Sequence, residues 1–198
     1  MTTIVYLHGF NSGPVSIKAQ ALGRAIAALP DDSRPDYFVP RLHHQPATAM
    51  RAVSAWLETR EHAALTLVGS SLGGFYATHL AERFGAKAVL INPTVRPYDD
   101  LVAYLGPQAN PYTGESYELT QAHFDELEAL SVSRISMPER YFLLVQTGDE
   151  LLDWRHAVAF YAGSWQFVEG GGDHAYASFE LQIPAVLRFA GVASVALT

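Results

Sequence analysis

The chain of 198 residues contains no cysteine. This absence excludes disulfides, zinc–thiolate sites, iron–sulfur clusters and a cysteine nucleophile. It is also compatible with a reducing compartment, where thiol-dependent structures are rare. We therefore expect a cytoplasmic protein whose chemistry depends on oxygen and nitrogen groups.

Long apolar runs and basic tracts are missing as well. No stretch approaches the roughly 20 apolar residues that span a bilayer, and no basic segment followed by an apolar run begins the chain. Only 17% of the residues are charged, the formal net charge is −7, and no basic stripe alternates with aromatic residues. We therefore expect no membrane span and no nucleic-acid partner.

Metal and nucleotide motifs are also absent. The sequence has no His-Glu-x-x-His, no Gly-x-Gly-x-x-Gly after its first apolar run, and no phosphate-binding Gly-Lys-Ser/Thr. His43 and His44 are adjacent but have no partner ligands at a useful spacing in the sequence. We predict no metal and no cofactor, and the sequence does not indicate an oligomeric state.

Short apolar runs alternate with longer amphipathic stretches along the chain. The predicted strands are Thr3–Leu7, Tyr37–Val39, Leu65–Gly69, Ala88–Ile91, Tyr141–Gln146 and Trp165–Val168. The predicted helices are Ser16–Leu29, Ala47–His62, Leu72–Phe84, Leu119–Leu130, Trp154–Ala162 and Ser178–Phe189. Near-continuous apolar strands that alternate with helices are typical of a parallel sheet buried on both faces. We predict one α/β domain over residues 1–198, with a mainly parallel sheet flanked by helices on both faces.

One segment departs from this alternation. Between Pro93 and Pro138 the chain is rich in proline, tyrosine and glycine, and its pattern predicts one or two short helices. Long insertions between core strands often form lids or binding loops. An ordinary helical excursion is the alternative, and the sequence does not decide between the two.

The strongest chemical signal is the pentapeptide Gly69-Ser70-Ser71-Leu72-Gly73. It follows an apolar strand and opens a helix, which is the context of a nucleophile elbow. Ser71 has a glycine two residues away on each side, where strand and helix backbones crowd together, and Ser70 does not. The pattern predicts Ser71 as a nucleophile, whereas a simple strand-to-helix turn is the alternative.

A serine nucleophile needs a base, and the base needs a group that orients it. Asp149 follows the strand Tyr141–Gln146, and His174 follows the glycine turn after the last strand. Both come after Ser71 in the order Ser, acid, His that this fold uses. We therefore predict Ser71, Asp149 and His174 as the catalytic residues.

Other acids and histidines are weaker candidates. Asp153 precedes a helix and is better explained as an N-cap, Glu150 should point elsewhere, and Asp173 is too close to His174 in sequence. Seven further histidines do not follow the last strand and are expected at the surface or in packing: His8, His43, His44, His62, His79, His123 and His156.

An oxyanion hole requires two backbone N–H donors. One should come from Leu72, which follows the nucleophile. The other should come from Phe10, because Gly9 allows a tight turn after the first strand. An ordinary glycine-rich loop is the alternative for this second segment.

Several blocks of this sequence resemble one family. They are YLHGFNS at 6–12 with Ser16 and Lys18, GSSLGGFYA at 69–77, LINP at 90–93 with Arg96-Pro97-Tyr98, NPYT at 110–113, QTGDE at 146–150 and GGDH at 171–174. Together they resemble the YqiA-like bacterial esterases, a small branch of the α/β-hydrolase superfamily, over nearly the whole chain.

The resemblance implies a compact cytoplasmic hydrolase of short acyl esters, with acyl-CoA thioesters as a further substrate class. Ser71, Asp149 and His174 match the family's catalytic positions. Arg96 either binds an acidic substrate group or anchors the insertion by an ion pair, and we favour the ion pair. Acyl transfer or perhydrolysis by the same residues, and a catalytically silent binding protein, stay open as alternatives.

Overall fold

The computed structural model describes residues 2–60 and 64–192. Their strands are β1 (Thr3–Leu7), β2 (Asp36–Phe38), β3 (Leu65–Ser70), β4 (Lys87–Ile91), β5 (Gly106–Ala109), β6 (Ser116–Leu119), β7 (Tyr141–Gln146) and β8 (Trp165–Glu169). Their helices are α1 (Ile17–Ala27), α2 (Pro46–Leu57), α3 (Leu72–Phe84), α4 (Pro97–Asp100), α5 (Gln121–Ala129), α6 (Trp154–Phe160) and α7 (Phe179–Phe189). None of the helices in the described ranges has the length and apolarity that a membrane crossing requires.

The main sheet confirms the predicted α/β fold. Six strands lie in the order β2-β1-β3-β4-β7-β8, and every neighbouring pair is parallel. In such a sheet the carboxyl ends of all strands lie along one edge, where the following loops converge. The segments that follow β1, β3, β7 and β8 therefore meet, although they are far apart in sequence.

The centre of the sheet is buried because its side chains alternate between two apolar layers. Along β1, Ile4 and Tyr6 pack in a layer with α1 and α7, whereas Val5 and Leu7 pack in the layer that holds α2, α3, α5 and α6. All four side chains are at most 1% exposed. Truncating a leucine in such a position costs about 2–5 kcal/mol, so this sheet is a stable support for its loops.

Most predicted element boundaries lie within two residues of the observed ones. The helix expected over Ala47–His62 is shorter and ends at Leu57, and His62 itself lies outside the described residues. At this end, the Thr59 hydroxyl and the Arg60 guanidinium both donate to the Trp56 carbonyl, at 2.8 and 3.1 Å. The two side chains thereby satisfy a carbonyl that the helix leaves without a partner.

The insertion between β4 and β7 differs from its prediction. It contains the helices α4 and α5, and also an antiparallel hairpin of β5 and β6 that the sequence analysis missed. Leu119 was expected to begin a helix, but it is the last residue of β6. The reason is a capping box, in which Thr120 and His123 bond each other's backbone N–H and start α5 after the strand.

Candidate active site

Ser71 occupies a strained turn between β3 and α3. Its φ of 54° lies in the left-handed region, which is unusual for a residue with a side chain. A Cβ at Gly69 would overlap the carbonyl of Gly73, and a Cβ at Gly73 would overlap the carbonyl of Leu7. Both glycines are therefore required sterically, as expected where the strand and helix backbones approach closely.

The structure brings Ser71, His174 and Asp149 into direct contact. His174 Nε2 lies 3.0 Å from Ser71 Oγ, and its Nδ1 lies 2.8 and 3.0 Å from the two oxygens of Asp149. With the proton on Nδ1 donated to Asp149, Nε2 is left to accept the serine proton. Ser71, His174 and Asp149, which lie up to 103 positions apart in the sequence, are thus linked by a continuous chain of hydrogen bonds.

The carboxylate of Asp149 is fixed by its own loop. Its Oδ1 accepts the backbone N–H groups of Leu151 and Leu152, each at 2.9 Å. The side chain is only 2% exposed. A buried carboxylate with several donors keeps one orientation, and it holds the His174 ring in that orientation.

Two buried amides, which the sequence analysis did not identify, hold the His174 loop. Asn92, at the end of β4, donates through Nδ2 to the carbonyls of Asp173 and His174 at 2.9 and 3.2 Å. Its Oδ1 accepts the Gln146 N–H at 2.9 Å, and the Gln146 Oε1 accepts the Asp173 N–H at 3.0 Å. The two amides therefore tie the end of β7, which leads to Asp149, to the loop that carries His174.

The neighbouring acids have distinct partners. Glu150 accepts the backbone N–H of His174 at 2.9 Å, and this hydrogen bond holds the pKa of Glu150 below its ordinary value. Glu150 thus points away from the imidazole ring, as predicted, but it does contact the loop. Asp153 caps α6 by accepting the Arg155 N–H, and Asp173 accepts the Ala177 N–H at 3.4 Å.

The segments that carry the two backbone donors expected for an oxyanion hole both adjoin Ser71. A Cβ at Gly9 would come within 3.2 Å of the Ser71 Cβ, so the loop that carries Phe10 abuts the serine. Among the described residues, no acceptor pairs with the Phe10 amide. The Leu72 amide is the first of α3, and helix geometry leaves it without an internal acceptor.

The hairpin of the insertion anchors this loop. Asn11, whose φ is 48°, donates to Gln108 at 3.0 Å and accepts from the Tyr117 hydroxyl at 2.8 Å. Asn110 donates to the Ser12 carbonyl at 2.9 Å. The sequence could not indicate these contacts, because about 100 residues separate the partners. They tie the loop after β1 to the insertion.

A cavity of about 410 Å³ opens beside Ser71 and His174. Its walls include Tyr6, Ala21 and Phe179 from the core and Tyr112 from the insertion. Its size and mainly apolar lining are typical of a small-molecule site. The insertion therefore contributes to this cavity.

A second group of histidines needs a correction. The hairpin brings Glu115 close to His43 and His44, and the ligand atoms of these three residues lie within 4.8 Å of one another. The two histidines therefore have a third metal-ligating group nearby, which their spacing in the sequence did not indicate. The Thr120 N–H donates to His123 Nδ1, so the His123 Nε2–H donates to His44 Nδ1 at 3.1 Å. Neutral His44 then carries its proton on Nε2, which faces Glu115 at 3.9 Å and is not free to bind a metal.

Two other singled-out residues have structural contacts. His8 is buried, accepts the Leu42 N–H at Nε2 and contacts the Gly9 carbonyl through Nδ1 at 3.2 Å. Burial lowers its pKa. Arg96 forms an exposed ion pair with Asp99 at 2.8 Å, within the insertion itself.

Comparison with solved structures defines the class of fold. The chain is 19% identical to alpha/beta hydrolase domain-containing protein 10 from mouse, with a TM-score of 0.71 over 96% of this chain and 89% of that one. It is 14% identical to Est1E from Butyrivibrio proteoclasticus, solved with ferulic acid bound, with a TM-score of 0.69 over 96% and 88% of the two chains. It is 16% identical to a monoacylglycerol lipase from Paleococcus ferrophilus, with a TM-score of 0.68 over 97% of this chain and 96% of that one. The protein therefore has the α/β-hydrolase fold.

The family follows from the sequence comparison. The chain belongs to the family described as "Uncharacterised protein family (UPF0227)", whose model matches residues 3–191. UPF0227 is the YqiA family, so the resemblance found in the sequence is confirmed. A UPF0227 protein from Shewanella woodyi is 28% identical over 100 residues, which are 50% of this chain and 55% of that protein's length.

Proposed function

We propose that this protein is a serine hydrolase of small-molecule carboxylic esters that works through an acyl-enzyme on Ser71. The observation that carries the proposal is the hydrogen-bonded series from Ser71 Oγ through His174 to Asp149, with contacts of 3.0 and 2.8 Å. A nucleophile, a base and an orienting carboxylate in this geometry are the requirements of acyl transfer.

Acylation begins when a substrate carbonyl lies against Ser71. His174 Nε2 removes the Ser71 proton as Oγ attacks the carbonyl carbon, and the Phe10 and Leu72 amides stabilise the oxyanion that forms. The protonated His174 then gives its proton to the leaving alkoxide. Asp149 stabilises the charged imidazole and keeps its ring oriented.

Deacylation repeats the same proton transfers with water. His174 takes a proton from water, the hydroxide attacks the acyl-enzyme, and the proton returns to Ser71 Oγ as the acid leaves. Each positioned donor to the oxyanion contributes about 3–4 kcal/mol to such reactions. No metal or cofactor is needed for any of these steps.

The insertion supports a limited substrate size. We propose that residues 93–138, in a single domain with the sheet, shape the cavity through Tyr112 and favour short acyl chains over long ones. Thioesters react by the same steps with a thiol as the leaving group, so they form a further candidate class. A silent binding protein is less well supported, because binding alone does not require the strained Ser71 or its contact with His174.

The test is hydrolysis of 4-nitrophenyl esters from acetate to palmitate by the wild type and by Ser71→Ala. We expect the wild type to prefer short chains and the variant to lose activity by about six orders of magnitude, to the background rate. Ser70→Ala is the matched control, since it removes the adjacent hydroxyl. Equal activity in wild type and Ser71→Ala would refute the proposal. No activity in the wild type on esters or acyl-CoA thioesters would favour a binding role.

A further inference from the structure

The N-terminus of α1 faces the cavity beside Ser71. Ser16 occupies its N-cap position, but the Ser16 side chain makes no capping hydrogen bond. The first turn of an 11-residue helix therefore keeps backbone N–H groups without side-chain acceptors, and these attract negative charge. Ser16, Ile17 and Lys18 all line the cavity.

The Ser16 hydroxyl is a second, independent feature that points to a ligand at this place. Ser16 is 8% exposed, and its Oγ makes no hydrogen bond of acceptable geometry within the described part of the chain, although the Tyr6 hydroxyl lies nearby. Buried hydroxyl groups in proteins are nearly always hydrogen-bonded. A polar atom from the ligand would satisfy this group.

Lys18 adds a positive charge at the same place. Its ammonium donates to the Ala175 carbonyl at 2.5 Å, next to His174, and burial lowers its pKa. An ammonium has three N–H donors, and only one has an acceptor among the described residues. The remaining donors are available to a ligand.

Lys18 is the side chain of this cavity that can recognise an anion. Among the described lining residues, it is the one lysine or arginine. The carboxylate of Glu180, which also lines the cavity, is paired with Arg24 at 2.9 Å. The two acids whose charges act on Lys18 also have partners: Asp173 accepts the Ala177 N–H at 3.4 Å, and Asp149 is occupied by His174 and by backbone donors. An anion that enters the cavity can therefore bind the Lys18 ammonium, because the acidic side chains near Lys18 already have partners.

We propose that the part of the substrate in this cavity carries a carboxylate, bound by the Lys18 ammonium, the Ser16 hydroxyl and the free amides at the start of α1. The apolar walls hold the chain between this carboxylate and the ester carbonyl at Ser71. The inference rests on the proposed ester hydrolysis and names its substrate class as esters with an anionic group.

Two pairs of substrates test this class, one for each side of the scissile bond. The acyl-side pair is 4-nitrophenyl hydrogen adipate and 4-nitrophenyl hexanoate. The leaving-group pair is 4-acetoxybenzoate and 4-acetoxybenzamide. We expect the anionic member of one pair to be preferred about tenfold or more in kcat/KM, because charged hydrogen bonds are roughly twice as strong as neutral ones. The preferred pair shows which side of the ester enters the cavity.

Variants at Lys18 separate recognition from support of the loop. In Lys18→Met the preference for the anionic member should fall to about one, and in Lys18→Arg much of it should persist. Loss of the contact with Ala175 affects both members of a pair equally, so the ratio reports recognition alone. Lys87→Met is the matched control, because Lys87 also donates to a backbone carbonyl, that of Phe189 at 2.9 Å, far from the cavity.

The ratio also separates this inference from the proposed function. Ester hydrolysis that depends on Ser71 but shows no preference for either anion, or the same preference in Lys18→Met, would overturn the inference and leave the hydrolase proposal intact. If Ser71→Ala were as active as the wild type, the hydrolase proposal would fail first.

Discussion

Two histidines of this protein, His174 and His44, form hydrogen bonds with different kinds of partner. His174 has a carboxylate 2.8 Å from Nδ1 and a serine hydroxyl 3.0 Å from Nε2. His44 has the imidazole of His123 3.1 Å from Nδ1, and its nearest carboxylate oxygen, on Glu115, is 3.9 Å from Nε2. The two rings are alike chemically, so their partners determine what each can do.

The two histidines differ in which ring nitrogen carries the proton of the neutral imidazole. At His174 the carboxylate accepts the Nδ1 proton and leaves Nε2 as a base toward Ser71. At His44 the proton lies on Nε2, and burial and the charge of the neighbouring His43 lower its pKa. His44 is therefore suited to packing on Tyr117, with ring centroids 4.4 Å apart, and not to base catalysis.

Among the residues that hold His174 in place, Asp149 is expected to have the largest effect, because its carboxylate accepts the Nδ1 proton. Asp149→Asn should lower kcat for ester hydrolysis by about four orders of magnitude, because an amide favours the wrong tautomer of the ring. Steady-state kinetics on a short 4-nitrophenyl ester gives the value. Asp153→Asn is the control and should stay close to wild type. If the control were inactive and Asp149→Asn active, our acid assignment would be wrong.

A smaller loss is expected from Asn92. In Asn92→Asp an oxygen replaces the donor that faces the carbonyls of Asp173 and His174, so the His174 loop loses two hydrogen bonds and meets repulsion. We expect kcat to fall by one to two orders of magnitude with little change in KM. A fall in thermal stability with unchanged kcat would contradict this positioning role.

Glu150→Gln should have a smaller effect that depends on pH. The pKa of Glu150 is lowered from 4.5 by the His174 N–H, so its stabilising contribution is present above this value and is lost as the pH falls through the lowered pKa. The variant should melt slightly below the wild type at pH 7 and match the wild type in strong acid. A difference that grows toward acid would have the wrong sign.

The smallest effect is expected at the contrasting histidine. His44→Gln should keep kcat for ester hydrolysis within about twofold, because Ser71 and the imidazole of His174 have no contact with it. His174→Gln, measured beside it, should be nearly inactive. Similar losses in both variants would break the comparison between the two histidines.

The sequence predicts the sheet well, because its four central strands, β1, β3, β4 and β7, are buried on both faces and their apolar runs are distinctive. The bounds of β1, β7 and α3 are those predicted. The meeting of Ser71, Asp149 and His174 also followed from their order along a parallel sheet. Their chemical roles stay a prediction.

The supports of the site could not be predicted from the sequence. Asn92 and Gln146 bond mainly to backbone atoms of distant segments, and such contacts leave no pattern in residue types. The hairpin was missed because β5 has only four residues and includes Gly106 and Pro107, which are unfavourable in strands. The same hairpin brings Glu115 to within 3.9 Å of His44, so that proximity was missed too.

Labelling with a fluorophosphonate, followed by peptide mass spectrometry, tests the central claim most directly. We predict one adduct, on Ser71, in the wild type and in Ser70→Ala, and none in Ser71→Ala or after prior denaturation. An adduct on Ser70, or equal labelling of Ser71→Ala, would contradict the assignment of Ser71 as the nucleophile.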